Sequence, residues 1–396
     1  MIKKCLVCDN QISPFIDFGP MPIANGFVAQ KGTHQYSYNM SVAFCESCYM
    51  VQLMEQPDRE MMFHENYAFY SSTSKHMAAH FEQFANEVIS DYGLTKDSYV
   101  VEIGSNDGIM LKHFAKQGIG HIGIEPSKNV AEMAEKQGIN TISCFFDENL
   151  QIYRKADVIL AANVIAHIAD IHSVMRGIKN LLEDDGVFIF EDPYMGDLLA
   201  KTSYDQIYDE HAFFFSALSI SSLAKAHGME LVDAVPQETH GGSMRYTLAR
   251  SGVMPINPRV FLLLEEESLI GLDKIEIYQL FKKNVEASRD SLVLLLNQIK
   301  AGGGNIVGYA ATAKSATIIN YCQIGRYLDF ICDTTPIKQG KFSPGAELPV
   351  VSYENFKDYP PTHALLFAWN HSKEIMEKER DFKGKWITYV PEVRVS

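Results

Sequence analysis

One stretch constrains the fold more than any other: Val100-Val-Glu102-Ile-Gly104-Ser-Asn106-Asp107-Gly108, followed by Ile-Met-Leu. An apolar run of this kind reads as a buried strand. Glycines at its end let the backbone turn sharply and pass close to a ligand before a helix begins. Strand, tight turn and helix together seed a parallel α/β sheet. A dinucleotide fold would carry Gly-x-Gly-x-x-Gly for a pyrophosphate. Here Asn106 replaces the second glycine and Asp107 adds a carboxylate, which suits a cationic or hydroxyl-rich ligand better. An ordinary strand–turn–helix corner would also explain the glycines, so the neighbouring segments have to decide.

Those segments repeat the pattern. Between about 75 and 250, strand-like runs at Ser98–Glu102, His121–Ile124, Asp157–Ala162 and Gly186–Phe190 alternate with helical runs at Asn129–Gln137 and Ile171–Leu182. This predicts a doubly wound sheet, whose ligands bind outside the carboxyl ends of the strands. Polar residues fall at those ends. Glu125-Pro126 follows the second strand, where a carboxylate can hold ribose hydroxyls, and Phe145-Phe146-Asp147 follows the third alternation. Asn163-Val-Ile-Ala-His167 follows the next strand. Charged, Pro-free sequence over 260–300 reads as helix. A second alternation then begins, with strands at Ile306–Tyr309, Asp329–Ile331 and Ala364–Ala368 and a helix at Ala316–Cys322. The expected division is 1–70, 71–255 and 256–396.

Residues 1 to about 60 differ in kind. Cys5-Leu-Val-Cys8 and Cys45-Glu-Ser-Cys48 are two Cys-x-x-Cys knuckles. The two-residue gap turns both thiolates of a knuckle toward one ion, and four thiolates close a tetrahedral shell around zinc. A closed shell leaves no position for water, so the expected zinc is structural, holding a segment too small to hold itself. Two disulfides are the competing reading. At 396 residues with 46% apolar residues, the chain has material for two or three packed domains. A net charge of -14 argues against a nucleic-acid partner. No apolar run is long enough to cross a bilayer, and no signal region follows Met1, so a cytoplasmic location is expected.

The order of strand ends resembles the class I S-adenosylmethionine-dependent methyltransferases. That resemblance implies a cofactor lined by Glu102, Gly104, Asn106, Asp107 and Gly108. Glu125 and Pro126 would lie at its ribose, Asp147 at its adenine and Asn163 beside its sulfonium. Further motifs narrow the match: Tyr208-Asp-Glu210-His211, Thr239-His240-Gly241-Gly242-Ser243-Met-Arg245, Lys314-Ser315, Asp333 with Lys338 and Lys341, and Trp369-Asn370. With the cysteine knuckles these resemble the three-domain sugar C-methyltransferases, which methylate nucleotide-linked 4-keto-deoxysugars at C3. The resemblance implies that Tyr67 or Tyr70 reaches the active site. It also implies that His240, Gly241, Ser243, Arg245, Lys314, Ser315, Asp333, Lys338, Lys341, Trp369 and Asn370 serve the substrate, the C-terminal domain holding its dTDP or GDP nucleotide.

Carbon methylation needs a base, a stabiliser for an enolate oxygen, and alignment of carbon, methyl and sulfur. Imidazole titrates near neutrality, which makes His211 the candidate base. Glu210 is its candidate tuner, and Tyr208 and His167 are candidate donors to the oxyanion. Blander readings exist: a charged surface turn at 208–211, a satisfied buried His167, and a purely core role for Phe213–Phe215. Rival functions are a methyltransferase of the same fold acting on oxygen or nitrogen, a nicotinamide-dependent sugar oxidoreductase, and a zinc-ribbon binding module on an inactive scaffold. The expected partner is a nucleotide-linked keto-sugar, with no nucleic acid and no membrane; the expected state is a monomer or small homo-oligomer.

Overall fold

A computed structural model describes residues 3–62 and 75–396. Tyr67 and Tyr70 lie outside the described residues. The N-terminal region opens with β1 (Lys3–Lys4) and β2 (Gln11–Ile12), paired antiparallel, then β3 (Pro14–Pro22), β4 (Ser37–Phe44), β5 (Val51–Leu53) and α1 (Arg59–Met62). β3, β4 and β5 form an antiparallel meander. The middle region runs α2 (Lys75–Asp91), β6 (Tyr99–Ile103), α3 (Leu111–Lys116), β7 (Gly120–Ile124), α4 (Lys128–Lys136), β8 (Thr141–Ile142), β9 (Ala156–Ala162) and α5 (Ile171–Leu181). It continues with β10 (Leu182–Pro193), α6 (Met195–Lys201), β11 (Phe213–Phe214), α7 (Ala217–Ala226), β12 (Met229–Gln237) and β13 (Ser243–Arg250).

The middle sheet has the order β12-β13-β10-β9-β6-β7-β8. β8, β7, β6, β9 and β10 are parallel, and β13 is inserted antiparallel beside β10. The order reverses between β6 and β9, which opens a crevice at their carboxyl ends. The predicted strands therefore form, and β10 extends well beyond the predicted Gly186–Phe190. Both faces of β6 are buried, which is why its sequence runs apolar without alternation.

Two helices, α8 (Pro258–Ile270) and α9 (Ile275–Ala301), lead to the last region. Tyr278, Phe281, Val285, Leu292 and Leu296 are the buried residues of α9; their steps of three, four and seven residues place them on one stripe. That stripe meets the N-terminal meander: Tyr278 stacks on Phe44 at 4.3 Å and tilts against Phe15 at 5.3 Å. The last region holds β14 (Ile306–Tyr309), α10 (Ala313–Tyr321), β15 (Ile331–Cys332), β16 (Val350–Val351), α11 (Tyr353–Asp358), β17 (His363–Leu366), α12 (Ser372–Lys378), β18 (Lys385–Thr388) and β19 (Arg394–Val395). Its sheet order is β16-β15-β14-β17-β18-β19, parallel except for β19. This is the Rossmann order, with a switch point between β14 and β17.

β11 is among the strands that the sequence did not announce. β11 pairs with β5, so two residues of the middle region complete the N-terminal sheet. Phe213, Phe214 and Phe215 are all buried, as their core reading predicts. No helix among the described residues is long and apolar enough to cross a membrane.

Candidate functional site

The four knuckle sulfurs converge. All lie within 4.8 Å of one another, with Cys5 and Cys48 at 3.5 Å and Cys8 and Cys45 at 3.4 Å. A zinc tetrahedron with bonds of about 2.3 Å has edges of about 3.8 Å, so the set fits the ion. All seven cysteines are free thiols, which removes the disulfide reading. Each knuckle is the same turn. Asp9 N–H donates to Cys5 O and Tyr49 N–H donates to Cys45 O, and both Asp9 and Tyr49 adopt positive φ. Behind the first knuckle, His172 Nε2–H donates to Val7 O at 3.1 Å, and His172 Nδ1 lies 2.8 Å from His227 Nε2.

At the carboxyl edge of the middle sheet, Gly104 has φ +67°, and a Cβ there would meet Val164 Cγ2 at 2.3 Å. Its neighbour in need is therefore the Asn163–Val164 loop. Asn106 and Asn163, at the ends of adjacent strands, both take left-handed backbone. Glu125 accepts from Asn106 N–H at 3.0 Å and from Ser127 N–H at 2.8 Å, which ties the β7 end to the glycine loop. Pro126 sits between Glu125 and the helix that starts at Lys128. Glu102 is buried with Oε2 unpartnered. Burial, and then Glu125 and Asp107, push its carboxyl well above the usual range. Three carboxyl groups crowding one loop fit a ligand that brings positive charge and hydroxyls, as S-adenosylmethionine does. Asp147 Oδ1 accepts from Asn149 N–H at 2.8 Å in a short turn, and Arg59 of α1 stacks over neighbouring Phe145 at 4.2 Å. A concavity lined by Tyr99, His121 and Thr141 lies at the opposite ends of these strands, away from the chemistry.

The 208–211 segment is interior rather than a surface turn. Glu210 and His211 are each 5% exposed. His211 Nδ1 lies 2.7 Å from Gln206 O; a carbonyl only accepts, so Nδ1 carries the hydrogen and Nε2 keeps its lone pair. Burial holds the imidazole neutral down to about 4. His167 stacks on it at 5.1 Å and Tyr208 at 4.2 Å. His167 is held well below the usual value, by burial and then by His211 and His240. Glu210 does not orient His211, since Gln206 already does; its Oε1 accepts from Asn25 Nδ2 at 2.7 Å. His240 sits in a left-handed turn, and a Cβ on Gly241 would strike Trp369 at 2.4 Å, so this turn abuts the C-terminal domain.

Several predicted substrate residues are already engaged. Arg245 pairs with Glu191 and Glu87 at 2.6 Å each and lies 3.6 Å over Phe84, inside the middle domain. Ser243 Oγ donates to Thr239 O. Ser315 Oγ donates to Thr312 O, and its N–H donates to the Thr312 side chain, so both groups serve the α10 cap. Asp333 accepts from Ala311 N–H and Thr335 N–H, bracing the loop after β14. Each of these four spends its polar groups on its own fold. Lys314 instead turns toward Trp369 and Asn370. Its Nζ lies 3.2 Å from Asn370 Oδ1 and 4.9 Å over Trp369, and its charge helps lower His211 and His240. Lys338 turns inward to Ala311 O at 2.9 Å, and Lys341 N–H donates to Lys338 O.

Sequence reasoning missed three groups here. Asp205 accepts from Trp369 Nε1 at 2.6 Å and Tyr389 OH at 2.7 Å, fixing Trp369 against the 208–211 segment. Asp192 is fully buried at the end of β10, with Oδ1 unpartnered among the described residues and Oδ2 3.4 Å from Ala166 N. A carboxylate at a strand end was the available signal, as it was for Glu125. Asn25, from the β3–β4 connection, carried no signal at all.

Residues 5–63 match a zinc binding domain family, residues 75–234 a methyltransferase domain and residues 238–391 the C-methyltransferase C-terminal domain. The chain is 30% identical to C-methyltransferase NovU of Streptomyces niveus over all of its own length and 97% of that protein. Among solved structures, an S-adenosylmethionine-dependent methyltransferase from Clostridium acetobutylicum is 16% identical, covering 43% of this chain and 91% of its own at a TM-score of 0.36. Magnesium protoporphyrin IX methyltransferase from Synechocystis with bound cofactor is 13% identical, covering 44% and 79% at a TM-score of 0.36. These two add nothing to the sheet order described above.

Proposed function

Because the chain belongs to the S-adenosylmethionine-dependent, zinc-binding C-methyltransferase family, we propose that it methylates C3 of a dTDP- or GDP-linked 4-keto-6-deoxysugar. Three working units, 1–70, 71–255 and 256–396, would share the task. The carrying observation is the buried His211, whose Nδ1–H is fixed on Gln206 O so that Nε2 keeps its lone pair, with the rings of Tyr208 and His167 packed against the imidazole.

A ketone at C4 acidifies the C3 hydrogen. Nε2 of His211 takes that proton, and the C–H electron pair becomes an enolate with its charge on the C4 oxygen. Tyr208 and His167, both neutral, donate to that oxygen, and the Lys314 charge lies close by. S-adenosylmethionine, when bound, supplies an electrophilic methyl group. Glu102, Gly104, Asn106, Asp107, Gly108, Glu125, Pro126, Asp147 and Asn163 would hold it at the β6–β9 crevice, and Glu125 would take the ribose. The enolate C3 would give its pair to the methyl carbon as the carbon–sulfur bond breaks and its pair returns to sulfur, which would leave as the neutral thioether S-adenosylhomocysteine. His240, Gly241, Trp369 and Asn370 would line the acceptor, and Glu210 would meet its hydroxyls.

Methyl-labelled cofactor, offered with thymidine- and guanosine-linked 4-keto-6-deoxysugars, tests this directly. A labelled methyl on C3 in the carbon NMR spectrum supports the reading. Label on oxygen or nitrogen, or no transfer to either sugar, rejects it.

A further inference from the structure

The zinc-bearing region grips the 208–211 segment residue for residue. Ala24 N–H donates to Asp209 Oδ1 at 2.8 Å, and Asn25 Nδ2 donates to Glu210 Oε1 at 2.7 Å. The strand pairing of β11 with β5 fixes the same segment a few residues on. Lys338 approaches Glu210 from the C-terminal domain, with its Nζ 5.3 Å over the ring of Phe27, two residues past Asn25. Glu210 is thus enclosed by parts of all three regions.

We propose that Asn25 is a positioning residue for Glu210. Its amide fixes the rotation of the carboxylate and favours the charged form, leaving Oε2 for the acceptor. The zinc-bearing domain is then part of the catalytic apparatus, since its fold delivers this amide. The role of Glu210 rests on the function proposed above. Burial pushes the Glu210 carboxyl up, and the Asn25 hydrogen bond and the Lys338 charge oppose it. Among the described residues, the other titratable groups around it are Tyr208, Asp209 and His211 on its own segment, and Asp333 behind Lys338. Among the described residues, Asn25 is the contributor from the N-terminal side, and it carries no charge.

Carboxyl-labelled glutamate in the ligand-free full-length protein, with Glu210 assigned by Glu210→Gln, gives its titration midpoint by carbon NMR. Asn25→Ala should raise that midpoint by about one pH unit. The same variant should lower kcat about 10- to 100-fold, with KM for S-adenosylmethionine and zinc content held. In the Glu210→Gln background Asn25→Ala should add about nothing further, since the two act as one unit. An unmoved midpoint, or an Asn25→Ala loss that multiplies fully with Glu210→Gln, overturns the inference. If Asn25→Ala fails to fold, Asn25→Ser takes its place: its hydroxyl is too short to span the gap, so the same shift is expected. The titration uses no substrate, so it reads equally if the sugar acceptor is wrong.

Discussion

The middle and C-terminal sheets are built alike and lined differently at their switch points. In each, the first strand of the unit lies beside the switch point and runs into a helix-opening loop. After β6 that loop is ringed by Glu102, Asp107 and Glu125, whereas after β14 the corresponding turn carries Lys314, with Lys338 reaching the same loop carbonyl at Ala311. Parallel strands and a crevice are common to both, so the backbone does not choose the ligand. The side chains at the strand ends do, with carboxyl groups around one loop and lysines beside the other. The 203–216 segment belongs to the middle region and is tied to the C-terminal one, through Asp205 to Trp369 and Tyr389, and through Thr317 Oγ1 to Ile207 O.

The most drastic way to break the contrast is to remove the element that frames both sites. Cys45→Ser should release zinc and leave insoluble protein, because a structural site contributes roughly 10 kcal/mol of folding free energy. Metal analysis of purified protein, with solubility, checks this. Acid should act next. His211 and His240 are held neutral by burial down to about 4 and about 3, against about 6.5 in the unfolded chain. The folded state binds fewer protons, so their stabilisation is complete above pH 6.5 and is lost as pH falls toward 4. For His211 that is worth about 3 kcal/mol. Melting curves should show a steep fall across that window, flattened by His211→Asn.

The charge contrast itself is sharpened by paired substitutions. Glu125→Ala should weaken S-adenosylmethionine by about 2–3 kcal/mol, roughly 30- to 150-fold, and leave nucleotide-sugar affinity unchanged. Lys314→Ala should do the reverse, weakening the nucleotide-sugar by about 1–2 kcal/mol and sparing the cofactor. Calorimetry on both variants with both ligands checks the crossing; equal losses in both columns would dissolve the distinction.

What was legible in the sequence follows from range. Buried strands such as Val100–Ile103 and Ile306–Tyr309 announce themselves by local apolarity, and the knuckles announce themselves by spacing. The acids at the β6 and β7 ends follow from strand-end position. By contrast, β11 is two residues long and pairs with a strand about 160 residues earlier, so no local pattern marks it. Asn25 and Asp205 earn their places through partners far along the chain. Arg245, Ser243, Ser315 and Asp333 show the converse failure: motif and residue type suggested a ligand, but internal partners had already taken their polar atoms.

The central claim is that His211 makes a carbon nucleophile by removing the hydrogen next to a ketone. Hydrogen exchange at C3 of a 4-keto-6-deoxysugar nucleotide in deuterated water, with an unreactive cofactor analogue bound, reads that step alone. Wild-type protein should exchange the hydrogen, and His211→Ala should slow exchange about 10²–10⁴-fold while binding both ligands. Exchange at the wild-type rate in His211→Ala would contradict the account and pass the role of base to Tyr208, His167 or His240.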